Sequence, residues 1–124
     1  MSQKGSIMLT MMYTVGPESV SEGDKLWESH AQWMEANSPR EGALALEAYN
    51  VTKTNEYTNP LDPSSEPTGN TIYTIVEVFA NPEALGNHMT KIMETWEDFG
   101  AFAEWAGNAK IGFSHGTPVL YSLW

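Results

Sequence analysis

The chain has 124 residues and a mass of 13.8 kDa, the size of one domain. Six Lys and Arg against sixteen Asp and Glu leave a net charge of −10, which excludes an ordinary nucleic-acid binder and argues against an anionic membrane surface as partner. The absence of cysteine excludes a disulfide framework, a thiolate nucleophile and a sulfur-ligated metal, and a hydrophobic content of 41% excludes wholesale disorder.

Residues Ile7 to Val15 alternate, with Ile7, Leu9, Met11, Tyr13 and Val15 on one face and Met8, Thr10, Met12 and Thr14 on the other. The second face is half apolar, so both sides of this first strand are expected to be covered. Gly16-Pro17 ends it. Ser21 with Asp24 three positions on resembles a capping box opening a helix that runs to about Ala36. Its apolar stripe holds Leu26, Trp27, Ala31, Trp33 and Met34, with His30 inside the stripe. Asn37-Ser38-Pro39 stops it.

Gly42 opens a second strand, from Ala43 to about Thr52, in which Leu44, Leu46 and Ala48 alternate against Ala45, Glu47, Tyr49 and Val51. The polar, proline-bearing stretch from Lys53 to Asn70 predicts a long loop, either a functional cover or a mobile excursion. Thr71 to Phe79 is rich in β-branched and aromatic residues and predicts a third strand. Asn81-Pro82-Glu83 is a helix start, and Leu85, His88, Met89, Ile92, Met93 and Trp96 recur at three and four residues as its buried face. Phe99 to Gly107 predicts a short extra helix, Lys110 to Gly116 an irregular or weakly extended segment, and Pro118 to Trp124 a final strand.

The order β-α-β-β-α-β predicts a two-layer α+β domain over residues 1–124, four antiparallel strands with helices on one face. The other sheet face needs a cover, and a second copy of the chain is the simplest one. No apolar stretch is long enough to span a bilayer, and Met1–Gly5 leads into alternating sequence rather than an apolar signal core, so a cytoplasmic protein is expected.

The run Gly42-Ala-Leu-Ala-Leu-Glu-Ala-Tyr49, followed by Tyr73-Thr-Ile-Val-Glu-Val-Phe-Ala-Asn-Pro-Glu-Ala-Leu-Gly-Asn-His88, resembles the dimeric α+β barrel superfamily, a ferredoxin-like fold. Within it the pattern is most similar to the antibiotic-biosynthesis-monooxygenase-like group, in which a glycine opens strand two, a glutamate falls late in strand three and a histidine follows in the next helix. Glu77 and His88 occupy those positions. The chain departs from the group in its 53–70 loop and in having Phe79 where an aromatic, often tryptophan, follows the glutamate. Asp98 stands where haem-degrading relatives place an axial histidine, and a single Arg is poorly suited to haem propionates.

Each candidate residue has a bland reading beside a functional one. His88 and His30, on the inward stripes of the two long helices, are either core histidines or bases at the wall of a shared cavity. Glu77 is either a rim or sheet-stabilising carboxylate or a substrate contact. Tyr13, Tyr49 and Tyr73 are favoured strand residues that can also donate hydroxyls to a ligand, and Trp33 and Met89 can line an apolar pocket. His115, in a glycine-flanked loop, is expected to be exposed. The histidines at 30, 88 and 115 lack ligand spacing and no phosphate loop or dinucleotide fingerprint is present, so neither metal nor cofactor is expected.

The resemblance implies a small cofactor-independent, monooxygenase-like enzyme acting on an apolar or aromatic small molecule. In that chemistry a pocket base deprotonates a phenol or enol and the carbanion reacts with dioxygen. His88 would be the base, His30 a donor, and Tyr13, Tyr73, Glu77, Trp33 and Met89 the substrate contacts. The alternative is a non-catalytic binding protein for a hydrophobic small molecule such as a fatty acid. Either way the expected partners are a second copy and an apolar ligand, without nucleic acid or membrane.

Overall fold

A computed structural model describes residues 5–123. The elements are β1 (Ile7–Val15), a 3-10 turn (Pro17–Ser19), α1 (Val20–Asn37), β2 (Leu46–Tyr57), β3 (Pro67–Phe79), α2 (Pro82–Thr95), α3 (Phe99–Ala106) and β4 (Lys110–Pro118). The sheet order is β2-β3-β1-β4 with every neighbouring pair antiparallel. This is the ferredoxin-like arrangement the alternation and helix spacing predict, and it places β1 and β3 in the middle of the sheet.

The alternation in β1 behaves as expected on its inner side. Leu9, Met11, Tyr13 and Val15 are buried together with Tyr73, Ile75 and Phe79 of β3 and with Leu26 and Trp27 of α1. A second cluster of Trp33, Met34, Ile92 and Trp96 joins α1 to α2. Asn81 caps α2 as its sequence predicts, its side chain accepting from the Ala84 amide at 2.9 Å. The expected stripe of α2 is narrower than its spacing suggests. Ala84, His88 and Ile92 are buried four residues apart, whereas Met93 is exposed.

Four expectations are corrected. Of the two readings of 110–116, irregular or weakly extended, the extended one holds, and more strongly than expected: the segment forms most of β4, the last strand, pairing with β1 from Thr14↔Lys110 to Thr10↔Ser114. The final strand therefore ends at Pro118, and the apolar residues after it are not in the sheet; Trp124 lies outside the described residues, as do Met1 to Lys4. Gly116 has a left-handed φ of 71°, and a Cβ there would collide with Leu85, so glycine lets β4 pass α2.

The 53–70 loop is likewise mostly strand. Lys53–Tyr57 and Pro67–Asn70 belong to the β2–β3 hairpin: Lys53 to Asn55 pair with Tyr73 to Thr71, while Glu56, Tyr57 and Pro67–Asn70 run on past the point where Val15 of β1 pairs with Thr71, with no third strand beside them among the described residues. Only 58–66 connects the strands, closed by the Thr58 amide donating to the Glu66 carbonyl at 2.9 Å.

Strand two starts at Leu46 rather than Ala43, and a bulge between Leu46 and Ala48 breaks the simple alternation. Leu46 and Tyr49 consequently stand opposite Phe79 and Glu77, on the same inward face. Finally, α1 has no capping box. Asp24 accepts from the Tyr73 hydroxyl at 2.7 Å and from Lys53 at 3.0 Å, so its carboxylate serves the sheet rather than the helix end. Gly23 beside it lets Trp105 approach α1, since a Cβ there would lie 2.8 Å from the indole.

Candidate active site

Glu77 lies on β3, a central strand, with its side chain toward the helices, and is 0% exposed. The rim reading is thereby excluded. His88 Nε2 is 3.3 Å from Glu77 Oε1, and His30 Nε2 is 3.8 Å from Glu77 Oε2. The two helices thus bring both imidazoles to one carboxylate. The approaches are close but not aligned as hydrogen bonds, so both carboxylate oxygens are buried without a donor. An ionised carboxylate in that condition is costly unless a bound molecule or a proton satisfies it.

His30 is itself held. Its Nδ1 is 2.6 Å from the Tyr49 hydroxyl, and its ring packs against Trp27, Tyr49 and Trp96. Burial drives its pKa from 6.5 down to about 4, against the opposing pull of the Glu77 charge, so the ring is neutral at physiological pH. Burial, reinforced by Glu77, also pushes the Tyr49 phenol well above its ordinary value, so Tyr49 keeps its proton. A Tyr49 O–H donating to Nδ1 leaves the imidazole proton on Nε2, facing the carboxylate. The other tautomer would set a lone pair against it.

A cavity of about 180 Å³ adjoins these groups, walled by Leu9, Met11, Tyr13, Trp27, His30, Glu77, His88, Met89, Ile92, Trp96, Phe99, Phe102 and Phe113. Met89 and Phe113 are the liners most open to solvent, at 36% and 37%, and mark its mouth. Tyr13 is buried beside it, its hydroxyl donating to Met11 Sδ at 3.4 Å. Burial first, and Glu77 second, raise the Tyr13 pKa to about 12, which makes its hydroxyl a donor rather than a base. A wider groove of about 470 Å³ lies between the end of α1 and β2, but its Glu35 and Arg40 side chains point into solvent. The buried ionisable chemistry is in the smaller cavity.

Of the residues singled out in the sequence, His88, His30, Glu77, Tyr13 and Met89 meet at this cavity. Trp33 and Tyr73 do not. Trp33 stands behind His88, its indole donating to Thr95 Oγ1 at 3.1 Å, and the Tyr73 hydroxyl is taken by Asp24. His115 is exposed as expected, though on β4 beside Phe113 rather than in a loop. Trp27, Trp96 and Phe102 were legible only as apolar periodicity. Phe113 carried no signal, because its strand was not apparent. Among the described residues no group of three or more His, Asp or Glu is arranged to hold a metal ion, and no helix is long and apolar enough to cross a membrane.

No protein-family model matches the chain, and no curated protein matches it. Among solved structures it is similar to a dimeric ferredoxin-like protein from an uncultured marine organism, with a TM-score of 0.61 and 7% identity, over 95% of this chain and 99% of that one. That likeness establishes the fold. At such identity the two chains share a backbone path and not a set of site residues, so the chemistry of the cavity rests on the side chains within it.

Proposed function

We propose that this chain is a small monooxygenase-like enzyme, independent of a cofactor, that acts on an apolar or aromatic small molecule in the cavity between helices and sheet. The observation that carries the reading is Glu77, a fully buried carboxylate with no hydrogen bond to either oxygen, beside two imidazoles in an apolar chamber. A carboxylate with both oxygens free of donors has acceptor positions open to a proton-donating substrate. Glu77 and His88 together accept a proton from a phenol or enol, His30 holds the second oxygen, and Tyr13 donates toward the developing oxyanion. The resulting carbanion takes dioxygen, and loss of water leaves a quinone or ketone.

An oxygen electrode tests this with a panel of single-ring hydroquinones. Uptake above the buffer rate is expected for wild type and at most about one hundredth of it for His88→Ala. Absence of uptake across the panel, with an unchanged apolar molecule seen bound in native mass spectrometry, would make the chain a binding protein instead.

The same reading includes a homodimer packed sheet to sheet. The outward residues of the two central strands that stay at least partly open, Met8, Thr10, Met12 and Thr14 with Ile72, Thr74 and Val76, are uncharged in a chain of net charge −10, and the similar structure is described as dimeric. Light scattering at micromolar concentration should return twice the 13.8 kDa chain mass. A monomer would remove this part of the proposal.

A further inference from the structure

Two polar groups without partners stand at the one cavity, and they are of opposite kind. Glu77, when ionised, only accepts hydrogen bonds, and both its oxygens lack a donor. Trp27 only donates, and its indole Nε1–H is buried without an acceptor, in a side chain that is 4% exposed and forms part of the same wall. The neighbouring indoles are satisfied: Trp33 donates to Thr95, Trp96 to Ser29 and Trp105 to the Ser19 carbonyl. Among the described residues Trp27 is therefore the exception among tryptophans that otherwise pair, and a buried donor left unmade has a cost that a ligand can recover.

The rest of the wall limits what that ligand is. Six of its thirteen residues are Phe, Trp or Tyr, which favours a flat ring. No Lys or Arg is among them, and Glu77 would repel a carboxylate or phosphate, so the ligand is not an anion. A cavity of about 180 Å³ is close to the roughly 150 Å³ that holds one benzene. Three fused rings do not fit.

We infer that the cavity takes a neutral, single-ring hydroxyketone, its carbonyl oxygen accepting from Trp27 Nε1–H and its acidic hydrogen placed at Glu77. This rests on the proton-abstracting reading of the site and adds to it the substrate class and a binding residue on α1. As the proton leaves, charge moves onto the carbonyl oxygen, where the indole N–H strengthens its hydrogen bond.

Anaerobic calorimetry separates binding from turnover. The probes are the three isomers of hydroxyacetophenone, with phenol, acetophenone, 4-hydroxybenzoate and anthrone as controls. At least one isomer should bind about ten-fold more tightly than phenol or acetophenone, the worth of one added hydrogen bond, while 4-hydroxybenzoate and anthrone should not bind. In Trp27→Phe the preferred isomer should fall to the affinity that variant shows for phenol. The wild-type series stands on its own if that variant does not fold. Equal binding of phenol and all three isomers, tight binding of anthrone, or an isomer preference retained in Trp27→Phe overturns the inference. Oxygen uptake on hydroquinones in wild type, together with an isomer preference that survives Trp27→Phe, would leave the proton-abstracting reading intact while removing Trp27 from it. Trp27-dependent binding without any oxygen uptake would do the reverse.

Discussion

Glu77→Gln should leave the melting temperature unchanged or raised, and lower kcat by at least about 100-fold. The substitution keeps the shape of the side chain and removes its charge. Because neither oxygen of Glu77 accepts a hydrogen bond and the residue is 0% exposed, the folded state carries a desolvated carboxylate that the unfolded chain does not. Relieving it offsets the loss of the approaches to His88 and His30. Function moves the other way, since an amide cannot take a proton at neutral pH and general-base steps contribute about 10²–10⁴-fold. Gain or constancy of stability together with loss of activity is the signature of a group retained for chemistry. A variant that melts far lower, yet turns over normally per folded molecule, would show that Glu77 is structural.

Acid should destabilise the protein well above the pH at which its carboxylates titrate. His30 is neutral when folded, with a pKa of about 4 against 6.5 when unfolded. Between those values the unfolded chain binds a proton that the folded chain refuses, so stability falls as pH drops from about 6.5 toward 4. At about 1.4 kcal/mol per pH unit the full effect is about 3 kcal/mol, on the order of 10 °C in melting temperature for a domain of this size. The Asp24 carboxyl is held below its ordinary 3.8, first by the Tyr73 hydroxyl and then by Lys53, so its loss comes at lower pH and does not overlap. Urea unfolding at pH 7.5 and 4.5 measures the difference, and in His30→Gln the slope should flatten. An identical slope in that variant would place the acid sensitivity elsewhere.

The amino-acid order alone determined which segments could be half-buried. β1 was legible because its apolar residues recur every second position, α2 because Asn81 and Pro82 mark its start and His88 and Ile92 fall four apart, and the two-layer plan followed from their order. It also marked His30, His88 and Glu77 as polar residues in apolar surroundings. What those residues meet was decided only by strand order. Glu77 would be a rim group on an edge strand and is a buried carboxylate on a central one, and the pairing of β3 with both β1 and β2 makes it the second. Residues 110–116 contain Gly112, Ser114, His115 and Gly116, which have little preference for a strand, and β1 supplies the partner that holds them in one. Tyr13 and Tyr73 are opposite each other on the same face, yet one lies at the cavity and the other on Asp24, because α1 covers the two positions with different side chains. Periodicity reports whether a side chain is buried; its neighbours are a long-range property, set by how separate elements cross.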